Sequence, residues 1–81
     1  MFTVYDFLSF LTFGNFAIVE DDTTTELMTG AVNLRQFDNT NIPENIANRI
    51  VRSWEVSMRR TDDADDPIHA VFESFVYIYV E

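Results

Sequence analysis

The chain has 81 residues, enough for one domain, with fourteen Asp and Glu against five Arg, no Lys and a formal net charge of -9. Such a charge repels nucleic acid and lipid surfaces and speeds encounter with basic proteins. A hydrophobic share of 47%, with eight Phe, three Tyr and one Trp, excludes a disordered acidic tail. The lack of cysteine excludes a disulfide framework, a thiolate nucleophile and a zinc knuckle.

Residues 3–12, TVYDFLSFLT, are predicted to form an amphipathic helix, with Val4, Phe7, Leu8 and Leu11 on one stripe. Thr3 is placed to cap it, Asp6 completes an acidic form of the capping box, and Phe2 and Phe7 occupy the staple positions. Gly14-Asn15 is expected to end the helix. The apolar start Met1–Phe13 contains Asp6 and lacks a basic leading segment, so it does not read as a signal peptide. No run approaches the ~18 apolar residues of a membrane span.

Phe16–Glu20 and Glu26–Val32 read as strands joined by the polar turn Asp21-Asp22-Thr23-Thr24, and Gly30 suggests a bulge or an early end. Asn33–Asn41 is a polar connection whose last residue is a candidate cap. Pro43–Val51 then reads as a short helix with Ile46, Ile50 and Val51 inward.

From Arg52 the period changes to two. Trp54, Val56 and Met58 are assigned to a buried face, and Ser53, Glu55, Ser57 and Arg59 to solvent. Thr61–Pro67 is a turn too polar to bury. His69–Val80 is a long last strand with Phe72, Val76, Ile78 and Val80 on one face and Val71, Phe75, Tyr77 and Tyr79 on the other. Two apolar faces point to a central strand, or to a strand with one interaction face. The sum is an α+β fold: a four-stranded, mostly antiparallel sheet of two hairpins, with an N-terminal helix and a short second helix on one face.

Eight carboxylates concentrate in the two hairpin turns: Glu20, Asp21, Asp22 and Glu26 in the first, and Asp62, Asp63, Asp65 and Asp66 in the second. If the third strand runs antiparallel to the second, both turns share one rim. If it runs parallel, they lie at opposite ends. Turn propensity and solubility account for part of this placement. Guanidinium bridges from Arg49, Arg52, Arg59 and Arg60 to the acidic turns are the plain structural role for the basic residues.

No catalytic constellation is present in the sequence. His69 is the one histidine, and it starts a strand with no nucleophile paired to it by any pattern. Ser9, Ser53, Ser57 and Ser74 lack flanking elbow glycines, and two glycines cannot build a phosphate-cradling loop. In a calcium-loop frame beginning at Asp62, Ala64 replaces a ligand and Pro67 the turn glycine, so no specific metal site is expected there. No cofactor is implied.

The short helix TVYDFLSFL, the acidic hairpin FAIVEDDTTTELMTGAV, the second helix IPENIANRIV and the closing VYIYVE together resemble the small acidic proteins of bacteriophages and mobile elements. Among these are the anti-CRISPR proteins that block Cas effectors. The resemblance is one of size, charge and layout over the whole chain. It implies an inhibitor in the cytoplasm of a bacterial host, where the cysteine-free composition also fits. Such a protein occupies the basic channel of a nucleic-acid-handling partner with carboxylates in place of phosphates, and binds no nucleic acid or membrane itself. The eight turn carboxylates are the candidate contact residues. The alternative is an assembly protein that forms a homodimer, or docks on a larger complex, through Phe75, Tyr77 and Tyr79.

Overall fold

The first helix begins where its cap dictates. In the computed structural model, which describes residues 1–11, 14–32, 42–61 and 70–81, α1 spans Val4–Phe10. Thr3 is its N-cap: the Thr3 hydroxyl accepts from the Asp6 amide at 3.2 Å, and the Thr3 amide donates to Asp6 Oδ2 at 3.0 Å. The Phe2 and Phe7 rings meet edge-on with centroids 6.1 Å apart, closing the hydrophobic staple. The helix ends sooner than its pattern suggests, because Leu11 is already extended (ψ 117°). Gly14, with a φ of 131° that favours glycine, opens the first strand rather than capping the helix.

Strand β1 (Gly14–Glu20) and β2 (Thr25–Val32) form the first hairpin across Asp21–Thr24. Its irregularity falls between Ile18 and Val19, not at Gly30. Gly30 faces Phe16, and the reason for glycine there is steric: a Cβ on Gly30 would lie 2.6 Å from Phe16 Cζ. Thr24 closes the turn at φ 56°, a region costly for a β-branched residue.

The second helix, α2, is a single turn, Glu44–Ala47, with Pro43 at the N-cap and Ile46 buried. Asn41, the candidate cap, lies outside the described residues. The predicted helix to Val51 is cut short because the next residues enter the sheet. Ile50 bridges to Thr3, the Val51 amide donates to Phe2 O at 2.9 Å, and Val51 opens β3 (Val51–Arg60). Strand β4 (Phe72–Val80) completes the set; His69 precedes it outside the described residues.

The sheet order is β2-β1-β4-β3. Strand β4 is central, as its two apolar faces require, and pairs parallel with β1 and antiparallel with β3. Three interstrand pairings thus comprise two antiparallel hairpins and one parallel seam, an α+β fold with a mixed, mostly antiparallel sheet. The core forms on the helix face, where Val4 and Leu8 of α1 and Ile42 and Ile46 at α2 meet Phe16, Ile18, Val32, Ile78 and Val80.

One prediction about the core fails. Trp54, Val56 and Met58 do share the helix face, yet they are 58%, 61% and 61% exposed. The register is right, but among the described residues no element lies over Val56 and Met58. A ten-residue strand runs about 33 Å at ~3.3 Å per residue. The seven-residue α1 is about 10 Å long at 1.5 Å per residue, so it shelters the central strands and meets β3 toward its start, with Phe7 against Trp54.

Candidate functional site

Topology decides how the acidic turns relate. Because β4 is parallel to β1 while β3 and β2 each run against them, β3 runs in the same direction as β2. The turn Asp21–Thr24 therefore lies at the Val80 end of the sheet, where the Asp21 amide donates to Val80 O at 2.9 Å. Thr61 and Ala70, which flank the second turn, stand at the opposite end, and the Thr61 amide donates to Val71 O at 2.9 Å. Asp62, Asp63, Asp65 and Asp66 lie outside the described residues.

At the first turn the carboxylates are engaged by arginine. Arg49 Nη1 donates to Glu20 Oε2 at 3.0 Å and also to the Glu81 carbonyl at 3.0 Å. Arg52 Nη1 reaches Asp22 Oδ1 at 2.9 Å and Asp21 Oδ2 at 3.3 Å, with Nε 3.9 Å from Glu81. The hydrogen bonds it donates to Asp22, and then to Asp21, hold the Arg52 guanidinium more firmly protonated. The expected bridging role of the arginines is thus realised here, and two guanidiniums offset part of the charge at this end.

Glu26 is not in the turn. It sits on β2 opposite Val19 and forms an ion pair with Arg59, which lies on β3 at the other edge of the sheet. Glu26 is the main cause of the firmer protonation of Arg59. For the two edge strands to meet in this way the sheet must coil, as twisted sheets do. The Arg59 guanidinium carbon also stands 5.2 Å from the centroid of the Phe75 ring.

That contact changes the reading of Phe75, Tyr77 and Tyr79. They do share the face away from the helices. Phe75, however, is only 8% exposed, Tyr77 and Tyr79 are half-buried, and the Tyr79 hydroxyl donates to Glu55 Oε1 at 2.6 Å. The bond to Glu55, first among the causes, raises the Tyr79 pKa above its ordinary value. These aromatic residues are already engaged within the chain.

The exposed apolar surface lies on the opposite face. Phe2, Phe7, Phe10 and Leu11 from the helix and Trp54, Val56 and Val76 from the sheet line an apolar groove of about 360 Å³. Phe7 and Trp54 rings are 5.8 Å apart, and Phe2 stacks on Phe10 at 6.3 Å. Met58 and Phe72 extend the patch toward the far end of the sheet, where with Val56 they border a second groove of about 550 Å³. Sequence reading missed this surface because its alternation is that of a core strand. Comparing the seven-residue α1 with the ten-residue β3 is the signal that reveals it.

Among the described residues no polar or charged side chain is buried, and no group of three or more His, Asp or Glu is arranged to hold a metal ion. No helix among them is long and apolar enough to cross a membrane. Comparisons with protein-family models, curated proteins and solved structures give no match to this chain.

Proposed function

We propose that this chain is a small, acidic, non-enzymatic binding protein that docks on another protein chain through the apolar face of β3 and α1. One observation carries this reading: Trp54, Val56 and Met58 stand exposed in a row on an edge strand, continuous with Phe2 and Phe10 of the helix segment. A contiguous apolar patch of this kind marks an interaction surface. The reading keeps the idea of an assembly protein and moves its surface to the face opposite Phe75, Tyr77 and Tyr79.

The inhibitor that occupies a basic nucleic-acid-binding channel, such as that of a CRISPR-Cas effector in a bacterial cytoplasm, is the second reading. It is favoured by the net charge of -9 and by the Asp22 side chain, which is 71% exposed even while bridged to Arg52. Of its contact set, Glu20, Asp21, Asp22 and Glu26 are among the described residues.

Site-specific photo-crosslinking in cells separates the two. A crosslinker at Met58 forms a protein adduct, whereas one at Asp22 or at the exposed Thr29 does not. Adducts from Asp22 alone, lost at high salt, would support the mimic instead. No adduct from either position would sink both.

A further inference from the structure

We propose that the partner of β3 is a second copy of this chain, joined along the β3 edge beside the apolar face and paired β3 to β3 in antiparallel fashion about a two-fold axis at Ser57. The inference rests on the reading that this face is a docking surface, and names its partner.

Strand β3 is an edge. Beyond the Thr3–Ile50 bridge at its start, no described strand lies on its outer side. An exposed apolar edge pairs readily with another strand. The other edge, β2, is less suited, since its exposed residues are Thr25, Glu26, Thr29 and Ala31.

Charge selects both the partner and the register. In an antiparallel pair, directly opposite residues point to the same face, so a two-fold axis must pass through a residue and its pairings follow by symmetry. An axis at Ser57 sets Glu55 opposite Arg59 of the second copy, and Arg59 opposite its Glu55. Val56 then meets Met58 of the other chain twice over on the helix face. Trp54 faces Arg60 of the second copy, a pairing suited to cation–π attraction. Every opposed pair from 54 to 60 is then apolar with apolar, acid with base, or cation with ring, apart from Ser57 with itself.

Neighbouring registers lose this. An axis at Glu55 sets two carboxylates face to face, and one at Arg59 sets two guanidiniums face to face, both unfavourable. An axis at Val56 or Met58 leaves Glu55 opposite serine or threonine. Ser57 is the position at which this strand is complementary to itself. Joined there, two sheets become one continuous sheet, and the Trp54–Val56–Met58 rows of both copies lie side by side as one apolar stripe, each row shielding the inner flank of the other.

The test uses the full chain in sedimentation velocity and a single-cysteine scan. Wild type sediments at twice the chain mass in the micromolar range. Glu55→Arg or Arg59→Glu alone opposes like charges and weakens association by about tenfold or more, and the Glu55→Arg/Arg59→Glu double variant restores it. Because Arg59 also pairs with Glu26 within the chain, a second measurement avoids charge changes. In a chain with no other cysteine, Ser57→Cys forms an interchain disulfide under mild oxidation, while Ser53→Cys on the same strand face does not. Opposed Cβ atoms at about 4.5–5.5 Å are close to the ~3.5–4.5 Å that a disulfide spans.

A monomer at all concentrations overturns the proposal, as does a dimer that links through Ser53→Cys and not Ser57→Cys. If the chain is monomeric while Met58 crosslinks to a different protein, the self-pairing fails and the docking surface stands. If it is monomeric and Met58 gives no adduct, both fail.

Discussion

Trp54 on β3 leans against Phe7 of α1, with ring centroids 5.8 Å apart and planes inclined at 57°, yet more than half of its surface faces solvent. The contact marks the limit of the shelter that a seven-residue helix gives to a ten-residue strand. Past it on that strand, Val56 and Met58 face solvent.

The first prediction contrasts Trp54 with a residue inside the shelter. Ile78 is wholly buried between β1 and β3, so Ile78→Ala costs about 2–5 kcal/mol. Trp54→Ala loses part of one face only, and the expected cost is about 1–2 kcal/mol against the ~3–5 of a buried tryptophan. Urea midpoints measure both. In dilute protein Trp54 emits at long wavelength and acrylamide quenches it. A short-wavelength, protected Trp54 in the monomer would contradict the exposed β3 face.

The helix cap gives a pH signature. Bonds from the Thr3 amide, and then the Thr3 hydroxyl, hold the Asp6 carboxyl below its ordinary pKa of 3.8. A depressed folded-state pKa contributes stability that is present above the unfolded value and is lost as pH falls through the folded one. Stability of wild type therefore declines below about pH 4 in part through Asp6, and Asp6→Asn flattens that part of the profile. Thr3→Ala, which removes the accepting hydroxyl, costs about 0.5–2 kcal/mol near neutral pH. An unchanged midpoint for Thr3→Ala would mean that the cap does not hold the helix.

This cap was legible in the sequence because it is local: Phe2, Thr3, Asp6 and Phe7 fix one another within six positions. The face alternation of β3 and β4 was legible for the same reason, since side chains on a strand alternate whatever their neighbours are. What lies across strands was not. The β1–β2 hairpin follows from its four-residue turn Asp21–Thr24, but the parallel β1–β4 seam joins Asn15 to Phe75 and Glu20 to Val80, far apart in the chain. The arginine partners are equally remote: Arg52 finds Asp21 and Asp22, and Arg59 finds Glu26. Neither the seam nor the pairing leaves a periodic trace, so the placement of Thr61 at the end of the sheet opposite Asp21–Thr24 had to come from topology. Exposure of Trp54 escaped too, because periodicity reports a face and not what covers it.

Two backbone positions should respond in opposite senses. Gly30→Ala drives a methyl group into the buried Phe16 ring and is expected to cost about 1–3 kcal/mol, with Phe16→Leu in the same chain recovering part of the loss. Thr24→Gly relieves a β-branched residue at φ 56° and should raise stability by about 1 kcal/mol. Thermal or urea midpoints decide both signs. A neutral Gly30→Ala would show that the ring shifts freely, against the packing described for β1 and β2.

Tyr79 reports on the open face. Its hydroxyl donates to Glu55, which favours the protonated phenol and raises the pKa above the ordinary 10.0. A raised folded-state pKa stabilises the fold below the unfolded value, and that contribution is lost as pH rises through the folded one. Alkaline difference spectra should therefore show Tyr79 titrating late, and Glu55→Ala should move that late absorbance change to lower pH. If Glu55→Ala leaves the spectrum unchanged, the Tyr79–Glu55 bond is not formed in solution.

The last prediction separates charge from contact. Asp21→Asn with Asp22→Asn removes two exposed carboxylates that bridge Arg52, and the folding midpoint should hardly move, because exposed ion pairs contribute little. Dimer formation through β3 should not weaken. It should strengthen slightly at low salt, since each copy then carries less of the negative charge that opposes approach. A mimic of nucleic acid behaves in the reverse way, because removing those carboxylates slows its association with a basic partner, most of all at low ionic strength. Sedimentation of the double variant across a salt series reads the first effect. Association kinetics with any basic protein captured through Asp22 reads the second. If neutralising Asp21 and Asp22 abolishes a partner's binding while Val56→Ser and Met58→Ser leave it untouched, the acidic end is the working surface and the β3 face is not.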